Sequence, residues 1–513
     1  MSIASQPTSD QQNVEEYGLR RLFIVAAVMA ATLMQTLDTT ITNVALPTIQ
    51  GNVGASPDEA TWVVTAYVIA AIVVIPITPW LQLRFGRKNY FVVSIVGFTI
   101  ASVACGSSDT LGALTFWRVV QGAFGGGLLA TAQSILRDTF PHKQLGASQG
   151  IFAIGAIMGP ALGPPLGGYL VDNYNWNLCF DINILPGVFS AIVLFLLLRD
   201  PLKARKMPFD FVGLALLAVA LGSMQYVLTE GEQNYWLADP MNLLMTLTCV
   251  VSLAGFILYE LKFTTRPVVD LRVLANRSVW AGFILSFANG VAIFGITYVL
   301  PQFTQGPLGF TPTLSGLLFI LRALPIILIT PLVVRTSGKF DTRIILGIGF
   351  CLSAIASAMQ AYDTTLQASF GTFGLPLILS GLGTAMLFIP LSIAVLGATS
   401  PQDGPKAAAF INLALQLGGS VAVAMLDVVI DRREQFHSTI LSGNLNLGVP
   451  SVQAFLHSKP LASLAEIMYG QSTILSFADA TFAIAVVSIL CIPLIFLMRK
   501  PKHEGPIEID VGG

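Results

Sequence analysis

The sequence predicts an all-α integral membrane protein of 14 transmembrane helices, with both termini on the cytoplasmic side. Three observations carry that prediction. Of 513 residues, 54% are hydrophobic and only 11% are charged, against about a quarter charged in an ordinary soluble domain. Apolar runs, each able to supply the roughly 20 residues that cross hydrocarbon about 30 Å thick, fill most of the chain. Lysines and arginines collect in alternate loops. A fold in water could not cover so much apolar surface.

The elements follow in order. A polar tail, 1–19, leads into an apolar run at 20–46 that is too long for a signal-peptide core, so the first helix stays uncleaved. Runs at 60–82, 89–107, 112–136, 146–171 and 178–198 complete a first bundle of six helices, 20–198. Two further helices, 210–230 and 241–261, occupy 199–278 with their linkers. The last bundle, 279–498, holds runs at 279–304, 313–333, 344–361, 370–398, 405–430 and 476–498. Its longest polar interruption is an outer loop, 432–475, and 499–513 forms a C-terminal tail. None of these runs has the polar face of a soluble amphipathic helix, which favours bilayer over protein core.

Orientation follows from the basic residues, because cytoplasmic loops retain them. With both ends inside, every lysine and arginine falls in an inner segment except Arg432, Arg433 and Lys459, outside, and Arg118 and Arg322, within helices. An error of one helix would scramble this alternation.

The chain also repeats. Leu46-Pro47 recurs as Leu300-Pro301, Thr78-Pro79 as Thr330-Pro331, and the loop Arg84-Phe85-Gly86-Arg87-Lys88 as Lys339-Phe340-Asp341-Thr342-Arg343, in one order and at nearly one lag. Two similar halves with the substrate between them are a common transporter plan. Since the lag covers eight helices, the two extra helices lie between two bundles of six.

Several functions are excluded or unsupported. A net charge of −1 offers no basic patch to nucleic acid. The five cysteines stand singly in apolar segments, and His142, His437, His457 and His503 lie outside the helices without ligand spacing, so no metal site or cofactor is expected. No GxxxxGK[ST] loop is present for ATP.

Ionisable groups at bilayer depth cost about 2.5–3.5 kcal/mol on insertion scales, which makes each a functional candidate. Asp38 lies well inside the first helix, among Gln35, Thr39, Thr40, Thr42 and Asn43, and some of these share its face. Burial favours a protonated carboxylate and a nearby cation favours the ionised one, the chemistry a proton-coupled carrier needs. Arg118, near the middle of the fourth run and followed by Gln121, is placed to balance Asp38 or to hydrogen-bond backbone carbonyls. Arg322 sits about 13 Å into the tenth helix as the second half's mid-depth cation. Asp427 falls near the outer surface, and Asp181, Glu230 and Glu260 at helix ends, where charge costs little. Gly155, Gly159, Gly163 and Gly167 recur every four residues as a ridge for close helix approach, and Pro160, Pro164, Pro165 and Gly168 soften the same helix into a hinge or packing seam.

These residues resemble the major facilitator superfamily, and within it the fourteen-helix drug:proton antiporters of the EmrB type. LDTTITNVALP, Leu37 to Pro47, resembles the first-helix signature and puts its acid on Asp38. RVVQG, Arg118 to Gly122, resembles the fourth-helix motif whose arginine is linked to proton transfer, and GPALGPPLGG, Gly159 to Gly168, the fifth-helix antiporter motif associated with export. Ala407 to Ala424 resembles a late helix that offers Asn412 and Gln416 to the cavity. The loop between helices two and three keeps Arg84, Gly86, Arg87 and Lys88, the first three as an inner gate, but Leu83 stands where the superfamily has an acid and Pro79 where it has a glycine. That departure leaves the loop without the acid of an Asp–Arg latch.

The resemblance implies the major facilitator fold and a proton-coupled exporter of hydrophobic or amphipathic molecules in a bacterial inner membrane, rather than an enzyme. It also implies a tripartite pump with a periplasmic EmrA-type adaptor and an outer-membrane channel, docked through 432–475. Two other readings stay open on sequence: a dedicated exporter of a metabolite, lipid or siderophore, and a membrane scaffold or sensor that no longer transports.

Overall fold

The computed structural model describes residues 18–141, 144–199, 210–231, 236–264, 267, 269–337, 340–400, 403–443, 445, 449, 452–453 and 461–498. Residues 1–17 and 499–513 of the two tails, most of 444–460, Lys143, Lys203, Arg205, Lys206, Arg266, Lys339, Lys459, His142, His457 and His503 lie outside the described residues.

Among the described residues, 14 helical spans are long and apolar enough to cross a membrane, the number the sequence predicts. The first bundle holds α1 (Gly18–Val53), α2 (Pro57–Phe85), α3 (Arg87–Gly106), α4 (Leu111–Gly125), α5 (Leu128–Thr139), α6 (Leu145–Asn173), α7 (Leu178–Asp181) and α8 (Ile184–Leu197). Next come α9 (Phe211–Glu230) and α10 (Pro240–Leu258), then α11 (Arg277–Gln305), α12 (Pro312–Ser337), α13 (Thr342–Asp363), α14 (Gly374–Gly397), α15 (Gly404–Gly443) and α16 (Leu461–Cys491). α4 with α5, and α7 with α8, each make one span. The first of these interruptions falls at Gly126-Gly127, where a Cβ would run into Ala71 and Tyr90, so close approach of α2 and α3 excludes side chains there.

Local chemistry sets the boundaries. Ser56 caps α2 in a reciprocal box with Glu59, and Asp210, Asp239, Asn276 and Asp341 cap α9, α10, α11 and α13 with their side chains. A single residue, Gly86 at φ 83°, turns the chain from α2 to α3, a conformation open to glycine and strained for other residues.

Helix pairings repeat between the halves. α1 packs on α6, α2 on α4, and α3 on α4 and α8, as α11 packs on α15, α12 on α14, and α13 on α14 and α16. The halves join along two seams, α6 with α12 and α2 with α15. α9 touches α2 and α15, while α10 packs on α9 and turns Leu243, Leu244, Leu247, Val250 and Val251 outward as a lipid-facing surface. One apolar core is built around Phe91, Phe98 and Phe152 of the first half and continues across to Ile326, Val333, Phe388 and Ile389 of the second, and another lies within the second half around Phe303, Phe319 and Phe373.

Two expectations change. The 432–475 interruption is not an irregular loop throughout, since α15 continues to Gly443 and α16 begins at Leu461. Hydropathy falls at the bilayer surface, whereas helical hydrogen bonding continues into water. Glu260 does lie at the end of its span, in the π-helical turn Tyr259–Phe263, but it is 2% exposed rather than solvated.

Candidate functional site

Asp38 and Arg118, 80 residues apart, form an ion pair of 2.5 Å with both side chains fully buried. The second carboxylate oxygen accepts from Gln121 Nε2 at 2.8 Å and Asn183 Nδ2 at 3.1 Å. Arg118 is held in turn: its Nε donates to the Val63 carbonyl at 3.0 Å, its Nη1 to Gln121 Oε1 at 2.7 Å, and its guanidinium carbon stands 4.2 Å from the centre of the Tyr67 ring. One fixed charge pair thus joins α1 and α4, with α2 and the α7–α8 break supplying the remaining partners. A proton delivered to Asp38 would cancel its charge and release Arg118 from that pair.

The helical period sorts the polar neighbours. Gln35 and Thr42 share the face of Asp38 and are buried, with Gln35 Nε2 donating to Tyr67 Oη at 3.3 Å and Thr42 Oγ1 to the Asp38 carbonyl at 2.8 Å. Thr39 is half-buried and bonds the Thr36 carbonyl, and Asn43 is exposed, so the structure does not bring these two to the carboxylate. Sequence reasoning missed Tyr67, Ser102 and Asn183. Asn183 also donates to Ser102 Oγ at 2.9 Å, and the one available signal was the polar Asp181-Ile182-Asn183 within an apolar run.

The glycine ridge lies against α1. A Cβ on Gly155 would strike Met29 and touch Thr32, and one on Gly159 would strike Thr36, one on Gly163 Thr40, and one on Gly167 Ile41. Threonines at 32, 36 and 40 therefore interlock with glycines at the same four-residue spacing, and the small residues supply the close packing that holds helices together in lipid. Pro160 is buried in the same stretch of α6. Gly168 faces Pro312 and Thr313 of α12, and Pro164 and Pro165 face Gly316. One helix thus touches α1 along one face and the opposite half along another.

Nearer the basic face, a chain of amides crosses between halves. Asn412 Nδ2 donates to Gln133 Oε1 at 3.0 Å, and Gln133 Nε2 to Gln149 Oε1 at 3.0 Å. Below it, Arg137 Nη2 donates to the carbonyls of Leu396 at 3.1 Å and Thr399 at 3.3 Å in the other half. Gln416 is half-buried one turn from Asn412. At the gate loop, Arg87 meets an acid after all: it pairs with Asp138, at the end of α5, at 2.6 Å, and with Ser134 Oγ at 3.0 Å. The acid missing at Leu83 is supplied by another helix, which the loop's own sequence does not show. Arg84 is half-buried beside Gly86, which is buried.

Arg322 lies elsewhere, inside the second half, 4% exposed between α11 and α14. Asp427 is half-buried and accepts from Tyr298 Oη at 2.5 Å. Among the described residues no His, Cys, Asp and Glu cluster has the makings of a metal site.

The family model described as Major Facilitator Superfamily matches residues 28–423. The multidrug export protein EmrB of Escherichia coli (strain K12) is 30% identical over 505 residues, covering 96% of this chain and 98% of that protein. The fatty acid resistance protein FarB of Neisseria gonorrhoeae is 29% identical over 498 residues, covering 95% and 98%. The crystal structure of the human organic anion transporter MFSD10 (TETRAN) matches with a TM-score of 0.61 over 93% of this chain and 99% of that one, at 15% identity, which is a likeness of fold.

Proposed function

The chain belongs to the Major Facilitator Superfamily, and from that premise we propose that this multi-pass transporter of the bacterial inner membrane is a proton-driven antiporter that exports hydrophobic or amphipathic small molecules. The observation that carries the reading is the fully buried pair of Asp38 and Arg118. A buried ion pair is a poor way to add stability, because desolvation offsets much of the Coulomb attraction. A carrier has a use for it, since protonation switches the pair off.

In this mechanism Asp38 takes a proton from the outer side. The pair opens, and Arg118 falls back on Gln121, the Val63 carbonyl and the Tyr67 ring. Loss of the tie between α1 and α4 lets α1 move along the glycine ridge of α6, which serves as the hinge of alternating access. On the basic side, the Asn412–Gln133 bond and the Arg137 contacts part in exchange. Gln35, Thr39, Thr42, Asn43, Asn412 and Gln416 supply polar contacts to the substrate cavity. One charge moved through 100 mV is worth about 2.3 kcal/mol, enough for roughly fiftyfold accumulation per electrogenic proton.

The same reading extends to a tripartite pump. α15, 40 residues long, is about 60 Å by helical rise, roughly twice the hydrocarbon thickness. Toward its C-terminal end it is clamped to α16 by Arg433 and His437 on Asp479 at 2.5 and 2.7 Å and by Glu434 on Thr473 at 2.6 Å. This hairpin is the proposed dock for an EmrA-type adaptor that leads to an outer-membrane channel.

Asp38→Asn keeps the shape of the carboxylate and removes its charge. Purified into proteoliposomes, the variant should fold normally and lose ligand-driven proton exchange. Exchange equal to the unsubstituted protein would remove Asp38 from the mechanism.

A further inference from the structure

Arg322 is a buried guanidinium that, among the described residues, has no balancing carboxylate. Its hydrogen bonds, to the Ile293 carbonyl and to Thr384 Oγ1, are both long at 3.4 Å, and its Nε has no partner. Five N–H donors in a rigid fork suit a planar anion. Most of these are unused, and among the described residues no Asp or Glu forms an ion pair with it. Arg118, by contrast, has short bonds to Asp38, Gln121 and Val63.

The internal repeat shows how the imbalance arises. A Cβ on Gly122 would meet the carbonyl of Tyr67, and one on Gly381 the carbonyl of Arg322, so Arg322 holds the place in the second half that Tyr67 holds in the first. In the register of Leu46 with Leu300, Asp38 corresponds to Ala292, and in that of Gly122 with Gly381, Arg118 corresponds to Leu377. Both counterparts are buried and apolar. The first half therefore pairs its cation with an acid of its own, whereas the second half has apolar residues at both of those positions and carries its cation at the place of Tyr67.

An isolated buried cation is costly to maintain. An anion brought by a ligand would relieve that cost, and a carboxylate fits the guanidinium fork with two parallel hydrogen bonds. Thr384 adds a hydroxyl beside it, and Asn289, whose Oδ1 is buried without a partner, stands one turn before Ile293 on α11, while Ala292 and Phe319 belong to the apolar core of this half. We infer that Arg322 recognises the anionic group of the exported compound, so that the carried amphiphiles include those with one carboxylate on an apolar body. This inference rests on the exporter reading above and adds the substrate's charge to it.

Binding to the full chain in lipid nanodiscs, with no proton gradient, separates the two. The probes are decanoate at a pH where it is ionised, decanol, decyltrimethylammonium and chloride alone. Decanoate should bind more tightly than decanol or the cation. R322Q should weaken decanoate about tenfold or more, the loss of a charge-assisted hydrogen bond, R322K should recover much of it, and decanol should not respond. Equal loss for decanoate and decanol, or none, would overturn the inference. So would chloride binding that depends on Arg322 while decanoate binding does not, which would assign an inorganic-anion site. If R322Q does not fold, the unsubstituted protein still decides, because decanoate no tighter than decanol sinks the proposal. Failure here leaves proton-driven export standing, since no proton movement is read.

Discussion

Gln133 of α5 and Asn412 of α15 are 279 residues apart and share a hydrogen bond of 3.0 Å that ties the two halves together. Gln133 is also bonded to Gln149 of α6, so a single amide connects three helices and both bundles. A contact that must break when the halves separate has its effect on that equilibrium rather than on the fold of either half.

Gln133→Ala should therefore loosen closure on the basic face by about 1 kcal/mol, the usual net worth of one such bond, or roughly fivefold in the closing equilibrium. Hydrogen exchange around 396–412 should quicken while the interiors of α1 and α4 stay protected. Unchanged exchange there would mean that the amide chain is not part of the closure.

Gly163→Ala should destabilise the protein by about 1–3 kcal/mol, the cost of overpacking a tight contact. The added methyl would run into Thr40, whose Oγ1 is its nearest neighbour. Thr40→Ala removes that atom and should recover part of the loss, giving a non-additive cycle in thermal unfolding. Additive effects would show that the ridge tolerates side chains by moving elsewhere.

Gly404→Ala should act through Arg137. A Cβ at residue 404 would fall on Arg137 Nη1, the mobile end of a long side chain, so the arginine moves aside and gives up the Leu396 and Thr399 carbonyls. Stability should change little, while a cysteine at Ser400 becomes labelled faster by a maleimide. Arg137→Ala should match this, and the double variant should add nothing to either single one.

Asp38 and Arg118 were legible because a charge inside an apolar run is conspicuous whatever the fold. Tyr67, Ser102 and Asn183, which complete their cluster, were not. Hydroxyls and amides cost far less in a membrane helix, and nothing local marks the ones that face a carboxylate. The same reason hid Gln133 and Gln149. Asn43 shows the converse, since proximity in sequence placed it beside Asp38 and the helical turn carried it to an exposed face.

Gate and ridge divide in the same way. Gly86 and Arg87 could be read from the loop, but the acid that meets Arg87 comes from Asp138 at the end of another helix. The four-residue glycine period announced a close contact without naming its partner, and only the packed structure gives the threonine stripe of α1.

By itself the sequence determined the number of spans and the presence of paired halves, because the bilayer imposes length, apolarity and charge asymmetry on each segment in isolation. Which helix faces touch was decided only in three dimensions, because in lipid the association of helices depends on shape and a few polar contacts rather than on apolar burial. The pairing of Asp38 with Arg118, the crossing bond of Gln133 with Asn412 and the unbalanced charge of Arg322 all belong to that second class.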